Sequence, residues 1–142
     1  MIPDQLQTII DQFKRAPKPL RLQLLLEYAG KVEPLPENLV DQRDQMEQVH
    51  ECQTPFFLLS ELDDEGKTLL HFDVPKEAPT TRGFAGILTQ AFEGLEPATI
   101  LEAPSSFYND MGLGEVISPL RLRGMSAIVG RLKGQLEDLQ SA

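Results

Sequence analysis

The sequence predicts an α+β fold, a small antiparallel β-sheet packed by helices. Three observations carry this. Apolar residues recur at helical spacing in the first third of the chain, two β-prone runs flank a short turn in its middle, and helical patterns return to the end. At 142 residues the chain is the size of one ordinary domain, expected here to span 1–142. A chain this long buries about two-thirds of its unfolded surface and folds without a disulfide or metal.

Residues 3–15 read as an amphipathic helix with Leu6, Ile9, Ile10 and Phe13 on one face and Pro3 in the first turn. Pro17 and Pro19 interrupt it. A second helix is expected from Pro19 through Leu22, Leu25, Leu26 and Ala29, stopping at Gly30. Pro34 and Pro36 mark a loop, and the acid- and glutamine-rich 37–48 reads as an exposed connection with room for a helical turn. Met46 to Glu51 is expected as a short strand. Cys52-Gln53-Thr54-Pro55 is turn-like, because Pro55 biases Thr54 away from helix and has no N–H for a ladder.

The clearest hairpin joins Phe56–Leu62 to Thr68–Val74 through Asp63-Asp64-Glu65-Gly66-Lys67. A loop with two prolines follows to Thr81. Thr80 or Thr81 is the expected cap of a helix carrying Phe84, Ile87, Leu88, Ala91 and Phe92 and ending at Gly94. Pro97–Leu101 and Pro104–Met111 are expected as short helical pieces. Ser118 as N-cap and Pro119 at the first helical position start a last helix, with Leu122, Met125, Ile128, Val129, Leu132, Leu136 and Leu139 on its apolar face.

Composition excludes several function classes. The 22 acids outweigh 13 basic residues, a formal net charge of −9, and no dense Lys/Arg cluster exists, so neither nucleic acid nor an anionic membrane is an expected partner. The longest apolar runs, such as Phe56-Phe57-Leu58-Leu59, fall far short of the roughly 20 residues of a membrane span. The polar start Met1-Ile2-Pro3-Asp4-Gln5 does not read as a signal peptide. With a single cysteine and no possible internal disulfide, the expected compartment is reducing, the cytoplasm. No G-x-S-x-G elbow and neither glycine-rich nucleotide fingerprint is present. Asp63-Asp64 sits at a hairpin tip, where a solvated turn explains it.

Cys52 is the most informative residue. It lies between an expected strand and a proline-containing turn, off any apolar periodic face, and loops are where binding and catalytic residues concentrate. A lone thiol cannot run an internal dithiol cycle, so any sulfur chemistry is completed by a second molecule. Protonated His50 beside it would lower its pKa and Glu51 would raise it. His50, His71 and Cys52 are too few for a closed zinc site, and no metal is expected. Arg82, Arg121 and Arg123 sit early in their helices, against the helix dipole. They either pair with surface acids or serve a contact elsewhere.

Three segments together resemble the SufE family, also called the iron–sulfur metabolism associated domain. Glu51-Cys52-Gln53-Thr54-Pro55-Phe56-Phe57 is similar to G-C-[QV]-S-x-V-[WY]. Glu77-Ala78-Pro79-Thr80-Thr81-Arg82-Gly83-Phe84 is similar to [ST]-D-A-x-x-[VI]-[KR]-G-[LF]. Met111-Gly112-Leu113 with Ile117-Ser118-Pro119-Leu120-Arg121-Leu122-Arg123-Gly124-Met125 is similar to L-G-L followed by L-[ST]-P-S-R-x-x-G-[LMF]. Departures are Glu51 for the glycine before the cysteine, Phe57 for the aromatic after the loop, and Lys76 and Glu77 for the serine and aspartate of the second segment.

The resemblance implies a SufE/IscU-like fold and a sulfur acceptor. Cys52 would take persulfide sulfur from a SufS-like, pyridoxal-phosphate cysteine desulfurase, stimulate it, and pass the sulfur to a SufBCD-like scaffold for iron–sulfur cluster assembly. In this picture the protein is a persulfide relay rather than a stand-alone enzyme. It has no cofactor of its own, because the pyridoxal phosphate is the partner's. Arg121, Gln53, Thr54, Arg82 and Gly83 are the residues it implies for partner binding or loop support. The alternatives are a binding module that activates a desulfurase without accepting sulfur, and a scaffold-like metal-binding protein.

Overall fold

The computed structural model describes residues 2–141. Met1 and Ala142, the ends of the expected domain, lie outside the described residues. Helix α1 (Asp4–Arg15) buries Leu6, Ile9, Ile10 and Phe13, the face that its periodicity predicts. Pro3 stands one position before the helix, in extended conformation. Helix α2 (Lys18–Tyr28) follows, and a 3₁₀ turn at Ala29–Lys31 ends it.

The expected face of α2 is a correction. Of Leu22, Leu25, Leu26 and Ala29, only Leu25 is buried, while Leu22 and Leu26 are 39% and 38% exposed. The reason lies in helix α3 (Pro79–Phe92), which meets α2 backbone to backbone. A Cβ added at Gly83 would stand 2.3 Å from the Leu25 carbonyl oxygen, and one at Gly86 would stand 1.8 Å from that of Tyr28. Two glycines three residues apart thus let the helix axes approach closely, and the long side chains of α2 are not needed between them.

Strands β1 (Glu47–Gln48), β2 (Phe57–Leu62) and β3 (Thr68–Asp73) form an antiparallel sheet in that order. The hairpin register runs from Phe57 opposite Asp73 to Leu62 opposite Thr68. Its turn is closed by the Asp63 carboxylate, which accepts from the Glu65 and Lys67 N–H groups at 2.9 Å each. Leu58, Ser60, Thr68, Leu70 and Phe72 point inward with period two. The strand expected over Met46–Glu51 is shorter than predicted. After Val49 N–H donates to the Phe56 carbonyl (2.9 Å), the Cys52 N–H turns back to the Val49 carbonyl (3.2 Å), and the chain leaves the sheet.

Helix α3 is buried nearly all round, from Gly83 through Phe92 with only Gln90 exposed, as suits a central helix. Its cap is a second correction. Neither Thr80 nor Thr81 is the N-cap, since Pro79 takes the first helical position and Ala78 the cap, leaving both threonines inside the first turn. Short helices α4 (Pro97–Glu102) and α5 (Phe107–Asp110) lead to helix α6 (Pro119–Ser141). Ser118 caps α6 as expected, its Oγ accepting from the Arg121 N–H at 3.3 Å. Buried Phe84, Phe92, Phe107 and Tyr108 form an aromatic cluster with centroid separations near 6 Å. Among the described residues no helix is long and apolar enough to cross a membrane.

Candidate functional site around Cys52

The turn that ends β1 pairing carries Cys52 away from the sheet and lays it against the start of α6. Its Sγ faces Gly124, where an added Cβ would stand 3.4 Å away. A pocket of about 440 Å³, open mouth included, surrounds the sulfur. The loop contributes Glu51, Cys52, Gln53 and Thr54, the first turn of α3 contributes Thr80 and Thr81, and α6 contributes Leu120, Arg121, Gly124, Met125 and Ile128. Cys52 is half-buried in this pocket, which apolar α6 residues and Thr54, Thr80 and Thr81 line together. The Thr54 Oγ1 is enclosed and has no hydrogen-bond partner among the described residues.

Burial pushes the Cys52 thiol up from 9.0 to about 11, the Glu51 carboxylate adds to the rise, and the Arg131 guanidinium partly offsets it. Of the two neighbours that oppose each other in the sequence, Glu51 is therefore the one that acts. His50 is exposed in a turn, where the alternation of a strand no longer places it beside Cys52. The counter-cation comes instead from the middle of α6. Arg131 donates to Glu51 at 2.8 Å and to Glu47 at 3.0 Å. The Glu51 carboxyl is held below its usual range by its own backbone N–H and by Arg131.

One helical turn beyond Arg131, Gln135 finishes the sheet edge. Its amide donates to the Leu58 carbonyl (3.1 Å) and to Glu47 (3.0 Å), and its oxygen accepts from the Ser60 N–H (2.7 Å). β2 would otherwise leave the Ser60 N–H unpaired where β1 stops.

The expected site residues divide. Gln53, Thr54 and Arg121 line the Cys52 pocket. The Arg121 side chain is exposed and makes no hydrogen bond or ion pair among the described residues, so it is free for a partner and does not hold the loop. Arg82 turns instead to the Val74 carbonyl (2.6 Å), tying the end of β3 to α3. Gly83 is buried with its open side toward Leu25 of α2, a packing position rather than a pocket wall. His71 pairs with Glu61 across the hairpin at 2.7 Å. Among the described residues no three His, Cys, Asp or Glu side chains are grouped to hold a metal.

Sequence reasoning missed Arg131, Thr80 and Thr81 as site residues. Thr80, Thr81 and Gly124 already stand inside the quoted segments. Arg131 has no local signal, because its partners lie some 80 positions earlier in the chain.

Comparison with known proteins extends the likeness over the whole fold. A solution structure of a hypothetical protein from Thermus thermophilus superposes with a TM-score of 0.88 at 45% identity, covering 100% of both chains. Uncharacterized SufE-like proteins from two Mycobacterium tuberculosis strains are 43% identical over 137 residues, 96% of this chain and 94% of theirs. An uncharacterized SufE-like protein from Synechocystis is 29% identical over 124 residues, 87% of this chain and 74% of its own. The SufE family model, described as the Fe-S metabolism associated domain, matches residues 7–136. That match runs from the first helix to the last turns of α6, through every segment that builds the Cys52 pocket, and the chain accordingly belongs to the SufE family.

Proposed function

We propose that this protein is a sulfur acceptor of iron–sulfur metabolism, with Cys52 as the residue that receives sulfur from a SufS-like cysteine desulfurase and yields it toward a SufBCD-like cluster scaffold in the cytoplasm. The observation that carries this reading is convergence. Three segments distant in sequence, each similar to a stretch of the family pattern, meet in one pocket around the only thiol of the chain.

The step balances without an added oxidant or reductant. The Cys52 thiolate attacks the outer sulfur of the desulfurase persulfide, forming a new S–S bond as the old one breaks. The desulfurase cysteine leaves as thiolate, and Cys52 carries the persulfide. The pyridoxal phosphate that generates the first persulfide belongs to the desulfurase. In the free protein Cys52 is a half-buried thiol rather than a thiolate, so transfer requires docking to expose it fully or to lower its pKa. A half-buried sulfur also suits a carrier, since shielding slows oxidation of the persulfide. Arg121, at the pocket rim with an unengaged guanidinium, is the proposed contact to an acidic group of the desulfurase.

Incubation with a cysteine desulfurase and cysteine, followed by intact-protein mass, tests the assignment. The wild type should gain one sulfur atom, removable by reductant. Cys52→Ser should gain none and should fail to stimulate the desulfurase, while Arg121→Ala should weaken stimulation more than Arg123→Ala. Undiminished stimulation by Cys52→Ser would instead favour a binding module that activates without accepting sulfur.

A further inference from the structure

Residue 51 is where this chain departs from the family pattern beside the reactive cysteine, a glutamate in place of glycine. The structure gives that glutamate a partner. Arg131 on α6 spans two carboxylates, Glu51 in the Cys52 loop at 2.8 Å and Glu47 in β1 at 3.0 Å. Glu47 is held a second time by Gln135 at 3.0 Å. The Glu47 end is therefore anchored to both sheet and helix, and the Glu51 end is the movable one. Among the described residues, the Arg131–Glu51 contact is the one side-chain hydrogen bond made by residues 50–55. The main chain ties this loop only at its base, through Val49 to Phe56, and once inside, through Cys52 to Val49. Arg131 is 28% exposed and Glu51 50%, so the contact can exchange with solvent.

We propose that Arg131 is a positioning residue: bridging Glu47 and Glu51, it clamps the Cys52 loop against α6, and release of its Glu51 end is what opens the sulfur to a docking partner. The proposal rests on the reading of Cys52 as the acceptor. The clamp is the counterpart of the departure from glycine. Where a glycine would leave the loop free to swing, the glutamate supplies a handle that α6 holds. A partially exposed ion pair is weak enough to be released by docking and strong enough to bias the closed state.

The clamp has two signatures that a merely structural role would not share. Loop opening is read by amide hydrogen exchange over residues 49–56. Glu51→Gln and Arg131→Gln should each accelerate it about three- to fivefold, as expected for losing one partly exposed pair, without changing the amides of α3. The double variant should exchange no faster than either single one, because both remove the same contact. Arg131→Lys, which keeps the cation but not the two-pronged reach, should recover part of the protection.

The second readout is the thiolate titration of Cys52, followed by ultraviolet absorbance. The charged groups facing the sulfur are Glu51, Arg121 and Arg131, and Arg121 stays unaltered throughout. Burial is the largest cause of the raised Cys52 pKa, so both variants should lower it as they open the loop, Glu51→Gln the more because it also removes the neighbouring carboxylate, and Arg131→Gln less because it also removes the offsetting cation. Unchanged exchange in the two single variants, additive acceleration in the double variant, or acceleration that extends equally to α3 would each overturn the clamp, as would a raised Cys52 pKa in Arg131→Gln, the sign of a lost cation without loop opening. Neither readout involves a desulfurase, so failure of the clamp and failure of sulfur acceptance are separate results.

Discussion

Cys52 concentrates a conflict between burial and reactivity. The proposed role as sulfur acceptor needs a thiolate, and the surroundings favour the thiol, raising the pKa from 9.0 to about 11 mainly by burial. At neutral pH the thiolate fraction is then about a hundredfold smaller than for an ordinary cysteine, two units of pKa at tenfold each. Alkylation by iodoacetamide should be slower by at least that factor and should rise about tenfold per pH unit until near pH 11. A rate that levels off near pH 9 would show that the folded protein does not perturb the thiol. The same shift has a consequence for stability. The folded state holds the proton more tightly than the unfolded one, so the stability contribution is complete below pH 9 and is lost as pH rises from about 9 through 11. Cys52→Ser should flatten that part of the stability profile. The residue is legible in the sequence because it is unique and sits in a turn. The balance of charges on it is not, since its compensating cation, Arg131, comes from a different element.

Among the elements, helices α3 and α6 use glycine for different purposes. In α3 the glycines are contact surfaces: Cβ atoms at Gly83 and Gly86 would collide with backbone carbonyls of α2, which cannot swing away as a side chain would. Gly83→Ala and Gly86→Ala should each lower unfolding free energy by about 1–3 kcal/mol or more, measured by urea denaturation. In α6, Gly130 and Gly134 have nothing within 4 Å of the added atom. There the alanine variants should gain about 0.5–1 kcal/mol, because a helix-interior glycine costs backbone entropy that alanine does not. The same sign at both pairs would contradict the packing of α2 on α3. Local pattern predicts where α2 lies but not which of its leucines is buried. Periodicity marks all of Leu22, Leu25 and Leu26 as apolar, and the helix rests on its partner through backbone.

At the scale of the molecule, one core of buried side chains links the sheet, α1, α3 and α6, and the Cys52 pocket lies where the loop after β1, the start of α3 and the start of α6 meet. The potential soft ligands are dispersed by this arrangement. His71 is engaged with Glu61 on the hairpin, His50 is exposed, and Cys52 is enclosed by α6. Purified protein should therefore carry no stoichiometric zinc or iron on elemental analysis. About one metal per chain, lost on replacing His50, would restore the scaffold-like alternative. The net charge of −9 suits a partner with a basic face, and the free guanidinium of Arg121 is an exception placed at the pocket rim.

Short-range rules account for the parts of the fold that are legible along the chain. Amphipathic spacing placed α1 and α6, turn chemistry placed the hairpin, proline at the first helical position marked the start of α6, and a unique cysteine in a proline-bounded turn marked the proposed acceptor. The tertiary structure alone decided everything that depends on distant residues meeting. It made Gly83, implied for partner binding or loop support, a helix contact, freed Thr80 and Thr81 from capping to line the pocket, and cut β1 to two residues while Gln135 finished the sheet edge. It also brought Arg131 to Glu51. These are side-chain and backbone encounters across some 30 to 90 positions of chain, and no local periodicity encodes them, because they arise only when packing of the core has set the distance between elements.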